Sequence, residues 1–199
     1  DLRGLHRLTD LLLMDTPSLT SLDVGQPTDM NALYLIGAVP GVISLPTVTS
    51  LGDLYIAETA QPQRVELPGI ARLDGLDLSQ THHPVQIDAP RLRHVQRAEV
   101  YETDNLGTLD LSQVDSVGEL VFRDNAGLQR IDLQSLTTLG YLSMVDNQAL
   151  DTLDLSALSD SDWDVVAENN PALCVTAIPA FGSPPPGCSV EGSGNACDP

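Results

Sequence analysis

Lysine is absent from this 199-residue chain, and its nine basic residues, all arginine, stand against 28 acidic ones, which gives a formal net charge of −19. Nucleic acids and anionic membrane surfaces are bound by basic surfaces. The charge balance therefore argues against both as partners. No apolar run approaches the roughly 18 residues of a membrane-spanning helix, so the sequence predicts no transmembrane segment.

Aromatic residues are also scarce, at 4% of the chain, although hydrophobic residues make up 42%. Leucine, valine and isoleucine must therefore fill the core, which favours a narrow, layered core over a wide globular one. Cysteine is absent until Cys174, and Cys188 and Cys197 follow. A leucine-rich body with a cysteine-bearing end is typical of an oxidising compartment. We therefore expect an extracellular or cell-surface protein, of prokaryotic origin given the absence of lysine; three reduced thiols are the alternative.

A repeat of 22 residues runs through the chain. The segment LGYLSMVDNQALDTLDLSAL, which begins at Leu139, follows VGELVFRDNAGLQRIDLQSL from Val117 and VQRAEVYETDNLGTLDLSQV from Val95. One earlier copy is a residue short, and the last, around WDVVAENNPAL, is a residue longer. The other copies begin at Leu73, Leu51, Met30 and Leu8.

Each copy contains two pairs of alternating apolar residues, such as Leu142 with Met144 and Leu153 with Leu155. Alternation with a period of two predicts a short strand with one buried face, and stacked coils would close a continuous core. The apolar spacing and the Gly, Pro, Asp and Thr residues within every coil argue against amphipathic helices. The sequence thus predicts an all-β fold, a right-handed parallel β-solenoid of about eight coils, over residues 1–173, followed by a cysteine-containing cap and a Pro/Gly-rich tail over 174–199.

The two ends of this solenoid are expected to differ. The first residues fit the register of a second strand, so we expect the chain to begin within a coil, with its N-terminal cap absent. Cys174 and Cys188 bracket the segment that closes the last coil, and we expect a disulfide between them. Cys197 would then pair with a residue outside this sequence or with another chain.

Threonine or asparagine recurs three residues after the first alternating apolar pair of nearly every coil. Such side chains can hydrogen-bond the backbone groups that a turn leaves unpaired. We interpret the column as a structural ladder rather than a site. Its members are Thr16, Ala38, Thr59, Thr81, Thr103, Asn125, Asn147 and Asn170.

The columns L-x-x-L-x-(I/F/M)-x-x-N-x-x-L-x-x-(I/L)-D-L-x-x-L, followed by N-N-P-A-L-C from Asn169 to Cys174, resemble the receptor L-domain. This is the leucine-rich β-helical module of insulin- and EGF-receptor ectodomains, and similar modules occur in fungal wall proteins and bacterial surface proteins. The resemblance covers residues 1–174 and implies binding through a sheet face, without catalysis. The N-terminal cysteine pair and cap helix of the receptors are missing here, so hormone binding is not implied.

The outward positions of the two strands differ in chemistry. Those of the second strand form an acidic edge that is either solvated or a weak surface for divalent cations: Asp23, Ser44, Glu66, Asp88, Asp110, Asp132 and Asp154. Those of the first strand carry large amphipathic residues, including all four tyrosines. Tyrosine and arginine are enriched at binding hot spots, and exposed apolar patches mark interfaces. The predicted binding residues are Leu12, Met14, Tyr34, Ile36, Tyr55, Arg97, Tyr101, Arg123 and Tyr141.

These patterns predict a non-catalytic recognition or adhesion module at a cell surface that binds a protein or a glycan. A structural spacer, or a filament subunit that binds other copies of itself through its coil ends, is one alternative. A polysaccharide-active β-helix enzyme is another, disfavoured because the chain has no lysine and because no cluster of carboxylates is expected around the arginines near the tyrosines. The common nucleophile and phosphate-binding motifs are also missing. No cofactor or metal is predicted, since His82 and His83 lack further ligands and the Asp160–Asp164 segment lacks the Gly and Glu of an EF-hand loop.

Overall fold

A computed structural model describes residues 7–19, 24, 26–37, 41–59, 61–159, 164–173 and 189–195. These residues contain fifteen strands and no helix, so nothing in them forms a helix that could cross a membrane. The strands are β1 (Asp10–Met14), β2 (Asp29–Ile36), β3 (Val42–Ser44), β4 (Ser50–Ala57), β5 (Gln63–Glu66), β6 (Arg72–Ser79), β7 (Val85–Asp88), β8 (His94–Tyr101), β9 (Gly107–Asp110), β10 (Ser116–Arg123), β11 (Leu128–Asp132), β12 (Thr138–Val145), β13 (Thr152–Leu153), β14 (Asp164–Glu168) and β15 (Ser189–Ser193).

The first sheet holds nine parallel strands in the order β1-β2-β4-β6-β8-β10-β12-β14-β15. Leu120 in β10 pairs with Leu142 in β12, and the same 22-residue step relates most neighbouring strands. The step shortens to 21 residues between Leu33 and Leu54 and lengthens to 23 between Leu142 and Val165, as the sequence predicts. The strands from β1 to β14 are therefore joined by seven turns of a parallel β-solenoid, which confirms the predicted fold. β15 continues this sheet beyond residue 173.

The second sheet is divided into two parts. One contains β3, β5 and β7, the other β9, β11 and β13, and all pairings within them are parallel. The second strand of each coil is thus confirmed where the structure describes it. Although β7 and β9 belong to successive coils and are fully described, no ladder joins them. The predicted continuous stack is therefore interrupted between Asp88 and Asp110.

Leucine columns fill the space between the sheets. The residues expected in the core are almost completely excluded from solvent, at 0–1% exposure: Leu120, Phe122, Leu133, Leu142 and Leu155. Because each coil repeats the same inward positions, each leucine packs between its equivalents in the coils before and after. This arrangement makes one continuous apolar cluster from Leu11 to Leu173.

The predicted turn ladder is confirmed for asparagine. Asn147 Nδ2 donates to the carbonyls of Phe122 (3.1 Å) and Val145 (3.2 Å) and to Asn170 Oδ1 (3.0 Å). Asn125 Nδ2 donates to Asn147 Oδ1 at 2.8 Å. Asn195, which the sequence pattern did not reveal, extends the ladder by accepting from Asn170 Nδ2 at 3.0 Å.

The ladder prediction is wrong for most of the threonines. The Oγ1 atoms of Thr16, Thr59 and Thr81 are buried and have no hydrogen-bond partner in the part of the chain that the structure describes. Thr103 differs, since its Oγ1 lies 2.8 Å from Asn125 Oδ1, to which it donates. A threonine hydroxyl is held close to its own backbone, whereas the longer asparagine amide reaches the neighbouring coil. Ala38 lies outside the described residues.

Candidate functional site

The outward positions of the first sheet form three rows, because its strands are in register. The first row contains Asp53, Gly75, Arg97, Glu119, Tyr141 and Asp164. The middle row contains Leu12, Tyr34, Tyr55, Asp77, Glu99, Val121, Ser143 and Val166. The third row contains Met14, Ile36, Ala57, Ser79, Tyr101, Arg123, Val145 and Glu168.

All four tyrosines lie on this sheet, but the predicted binding residues do not form one patch. Tyr34 and Tyr55 are neighbours in the middle row, with ring centroids 6.0 Å apart and an interplanar angle of 51°. Tyr101 is next to Arg123 in the third row, whereas Tyr141 lies two coils beyond Arg97 in the first row. The remaining predicted residues are Leu12 and Met14, which are 56% and 51% exposed, and Ile36, which is half-buried next to Met14.

A cleft of about 450 Å³ opens beside the tyrosine pair. It is centred on Gly75, which occupies the first row between Asp53 and Arg97 and contributes no side chain. A Cβ atom at this position would collide with Asp53 Oδ1, so a larger residue would displace that carboxylate and occupy the opening. We name this opening the Gly75 cleft. Its polar and aromatic walls are Tyr34, Tyr55, Asp53, Asp74, Asp77, Gln96, Arg97 and Glu99.

The charged groups of the Gly75 cleft are partly paired with one another. Arg97 Nε lies 2.7 Å from Glu99 Oε1, and Arg72 Nε donates to Asp74 Oδ1 at 3.1 Å. Four carboxylates therefore face one lining guanidinium, and the cleft carries net negative charge.

Asp77 is the least satisfied of these carboxylates. Its Oδ1 is buried and accepts no hydrogen bond within the described residues. Burial raises the pKa of Asp77 above its ordinary value of 3.8, and the nearby Glu99 raises it further, while a hydrogen bond from Ser79 and the charge of Arg97 lower it. The hydroxyl oxygens of Ser79 and Tyr55 lie 3.3 Å apart. Asp77 Oδ1, a hydrogen-bond acceptor that lacks a donor, thus lies on the strand next to Tyr55.

Two further cavities extend along the same side of the molecule. One, of about 330 Å³, lies beside Tyr101 and Arg123 and shares Tyr55 with the Gly75 cleft. The other, of about 560 Å³, is lined by acidic side chains and by His82, whose Nδ1 is 2.7 Å from Asp104 Oδ2.

No group of three or more His, Cys, Asp or Glu side chains in the described residues is arranged to hold a metal ion.

The acidic edge of the second strand has a structural explanation that the sequence did not reveal. Asp110 Oδ1 accepts the backbone N–H of Ser112 at 3.0 Å, and Asp154 Oδ1 accepts that of Ser156 at 2.9 Å. The hydrogen bonds from Ser156 lower the pKa of Asp154. Each aspartate therefore caps the turn that follows its strand. Asp23 lies outside the described residues.

Among the residues that line the Gly75 cleft, the sequence analysis singled out Tyr34, Tyr55 and Arg97. It did not single out Gly75, Asp53, Asp77 and Glu99. The sequence did contain a signal for this cleft, namely a glycine in a column of outward positions that otherwise carries side chains. In the first row, Gly75 is the one position between Asp53 and Asp164 where the chain has no side chain. Such a gap in a repeat with a constant register creates a concave site on an otherwise flat sheet.

No protein-family model matches this chain, and no curated protein or solved structure is significantly similar to it. Cys174 and Cys188 lie outside the described residues, so their pairing stays a prediction.

Proposed function

We propose that this chain is a non-catalytic recognition module of the cell surface, and that it binds a glycan through the Gly75 cleft. The observation that carries the proposal is the combination, in one concave opening, of a tyrosine pair and a buried carboxylate oxygen without a donor. The resemblance to the receptor L-domain supports the extracellular setting and binding through a sheet face.

A sugar ring fits both kinds of wall. Its C–H face is apolar and packs against an aromatic side chain, while its hydroxyl groups donate hydrogen bonds to carboxylates. Tyr34 and Tyr55 supply the first surface. Asp77 Oδ1 supplies an acceptor whose present burial without a donor is unfavourable, and a ligand hydroxyl would relieve that cost.

The net negative charge of the Gly75 cleft indicates which glycans it would bind. Arg97 is paired with Glu99 and is the one basic residue among the lining residues. The net charge of −19 adds a repulsive field for any anion. Neutral or amino-containing sugars are therefore favoured over sulfated or uronic ones.

An array of neutral, amino-containing and sulfated oligosaccharides tests the proposal, followed by calorimetric titration of the oligosaccharides that bind. Tyr55→Ser should weaken binding by about tenfold or more, since aromatic anchors dominate such sites. Tyr141→Ser is the matched control, because it removes the same side chain from the same sheet outside the cleft. Equal losses in the two variants would show that the whole face, not the cleft, binds. Loss only in the Asp110→Ser/Asp132→Ser double variant would move the site to the acidic edge.

A second candidate function is hydrolysis of a glycosidic bond, favoured by the raised pKa of Asp77 among other carboxylates. Glycosidases pair a carboxylic acid of raised pKa with an ionised carboxylate. Chromatography of the oligosaccharides after long incubation distinguishes the two functions. Shortened products that disappear in Asp77→Asn would replace recognition by catalysis, and intact oligosaccharides would leave recognition in place.

A further inference from the structure

Two residues after the inward apolar residue of the second strand, five of the six coils between residues 45 and 155 have leucine. Leu45, Leu67, Leu111, Leu133 and Leu155 occupy this column and are at most 4% exposed. The exception is Ala89, which is only partly buried. One coil therefore lacks the branched side chain that its neighbours insert into the core at this position.

An apolar cavity of about 400 Å³ lies where this leucine is missing. Its inner wall is formed by Leu76, Leu92, Leu111 and Val114, all buried residues of the core. The small side chain of Ala89 explains part of the space. The rest comes from the interruption of the second sheet, since β7 and β9, both fully described, are not paired and the cavity opens between them.

The mouth of the cavity is polar and negatively charged. Asp88 and Asp110, which end β7 and β9, lie at the opening, and no basic residue is among the lining residues. Asp88 already faces Arg64 Nε at 2.6 Å, whereas Asp110 is exposed and uses one oxygen to cap the Ser112 N–H. The cavity therefore combines an apolar interior with an accessible carboxylate at its rim.

We propose that this cavity is a second binding site, distinct from the Gly75 cleft, and that it takes a small amphiphilic cation such as an arylalkyl amine. Its size lies in the range of small-molecule sites, roughly 300–1,000 Å³. The apolar part of the ligand would replace the missing leucine against Leu92 and Leu111. The ammonium group would lie at the rim beside Asp110, where the net negative charge of the protein also favours it.

Titration of the whole chain with phenethylamine, followed by NMR or calorimetry, tests the site. 3-Phenylpropionate is the matched probe, because it has a similar apolar body and the opposite charge. We expect phenethylamine to bind with a dissociation constant in the millimolar range and 3-phenylpropionate to bind about tenfold more weakly or not at all. Equal binding of the two probes, or no binding of phenethylamine, would overturn the proposal.

Two variants locate the binding. Ala89→Leu restores the leucine column and should abolish phenethylamine binding while raising the melting temperature, because it fills the cavity. Ala126→Leu, at an exposed position, is its control and should change neither property. Asp110→Asn keeps an oxygen to cap Ser112 but removes the charge, and should weaken phenethylamine binding by about tenfold even if Ala89→Leu fails to fold. Unchanged binding in Asp110→Asn would show that the amine binds elsewhere.

Discussion

The ladder column holds threonine up to Thr103, with Ala38 as the exception, and asparagine from Asn125 onward. The buried side-chain atoms that lack a hydrogen-bond partner in the described residues all lie before Thr103, whose hydroxyl donates to Asn125. They are Oγ1 of Thr16, Thr59 and Thr81, Oε1 of Gln63, Oδ1 of Asp77 and Nε2 of His94. Asp88 Oδ2 makes no well-directed hydrogen bond but lies 2.6 Å from Arg64 Nε. We call residues 7–94 the N-terminal half and residues 95–195 the C-terminal half.

The difference separates the coils with a continuous side-chain hydrogen-bond ladder from the coils that hold the two proposed binding sites. Buried polar groups are normally paired, and those left unpaired mark functional or strained places. The C-terminal half pairs its turn amides through four coils, from Asn125 to Asn195. The N-terminal half contains the tyrosine pair and Gly75, and the cavity at Ala89 opens at its edge.

The largest expected effect is loss of the amide ladder in the C-terminal half. Asn147→Ala should lower the free energy of unfolding by about 3–5 kcal/mol, because the Phe122 carbonyl and one N–H of the Asn125 amide would lose the buried partner that Asn147 provides. Urea denaturation followed by circular dichroism measures the change. Gln148→Ala, at the adjacent exposed position, is the control. A loss of similar size in both variants would remove the distinction between the halves.

A threonine pair tests the comparison directly. Thr81→Val should raise the free energy of unfolding by about 1 kcal/mol, because it removes a buried hydroxyl that has no partner. Thr103→Val should lower it by a similar amount, since the Thr103 hydroxyl donates to Asn125. The two residues occupy the same column in successive coils, so the packing change is the same. Thermal melts that shift in the same direction for both variants would contradict the difference.

The smallest effect concerns the pH dependence of stability. Because burial raises the pKa of Asp77, its ionised form destabilises the fold at neutral pH. Asp77→Asn should therefore melt at a higher temperature than the parent chain at pH 7. The difference should shrink as the pH falls through the raised pKa and vanish below about 3.8, where the carboxyl is protonated in both the folded and the unfolded chain.

Asp154→Asn is the control, because its effect on the melting temperature at neutral pH should have the opposite sign to that of Asp77→Asn. Hydrogen bonds from Ser156 lower the pKa of Asp154, so its ionised form contributes stability above pH 3.8 that is lost as the pH falls through the lowered value. This variant should melt slightly below the parent chain at pH 7, with the difference fading in acid. Melting curves of both variants between pH 7 and pH 3 would contradict the assignment if the two differences had the same sign.

The sequence predicted the coil and its core but not the exceptions to the repeat. Alternating pairs such as Leu120 with Phe122 determine which side chains turn inward, so the strands and the buried set followed from spacing alone. The hydrogen-bonding role of Asn147 was also predicted correctly, because a buried side-chain amide at a turn can be expected to bond the backbone groups that the turn leaves unpaired. The openings at Gly75 and Ala89 were not predicted, because each column of the repeat was interpreted from the residue type that most coils share and not from its exceptions. The interruption between Asp88 and Asp110 has no counterpart in the apolar pattern, which is the same in both coils.

The residue after each first-sheet strand from β1 to β14 has a left-handed backbone, with φ between 46° and 70°. The carbonyl of the last strand residue accepts a hydrogen bond from the preceding coil, and the N–H of the left-handed residue donates one to the next coil. These peptide groups therefore form one continuous row of hydrogen bonds along the solenoid, which we call the file. The bonds are Asp15 to Ile36, Gly37 to Ala57, Glu58 to Ser79, Gln80 to Tyr101, Glu102 to Arg123, Asp124 to Val145, Asp146 to Glu168 and Asn169 to Ser193.

Every N–H in this file points toward the C-terminal coils. The asparagine amides differ, because each donates one N–H to the next coil and another to the preceding one, as Asn147 does to Asn170 and to Phe122. Aligned peptide dipoles of about 3.5 D add along an axis, as they do in an α-helix. This file of peptides is therefore polar along the solenoid axis, with its positive end toward the C-terminal coils, whereas other turn N–H groups, such as those of Thr49 and Thr137, donate toward the preceding coil. A strand that continued the file would have to offer a carbonyl at that side and an N–H at the other, so two copies could extend it in a head-to-tail orientation but not head-to-head.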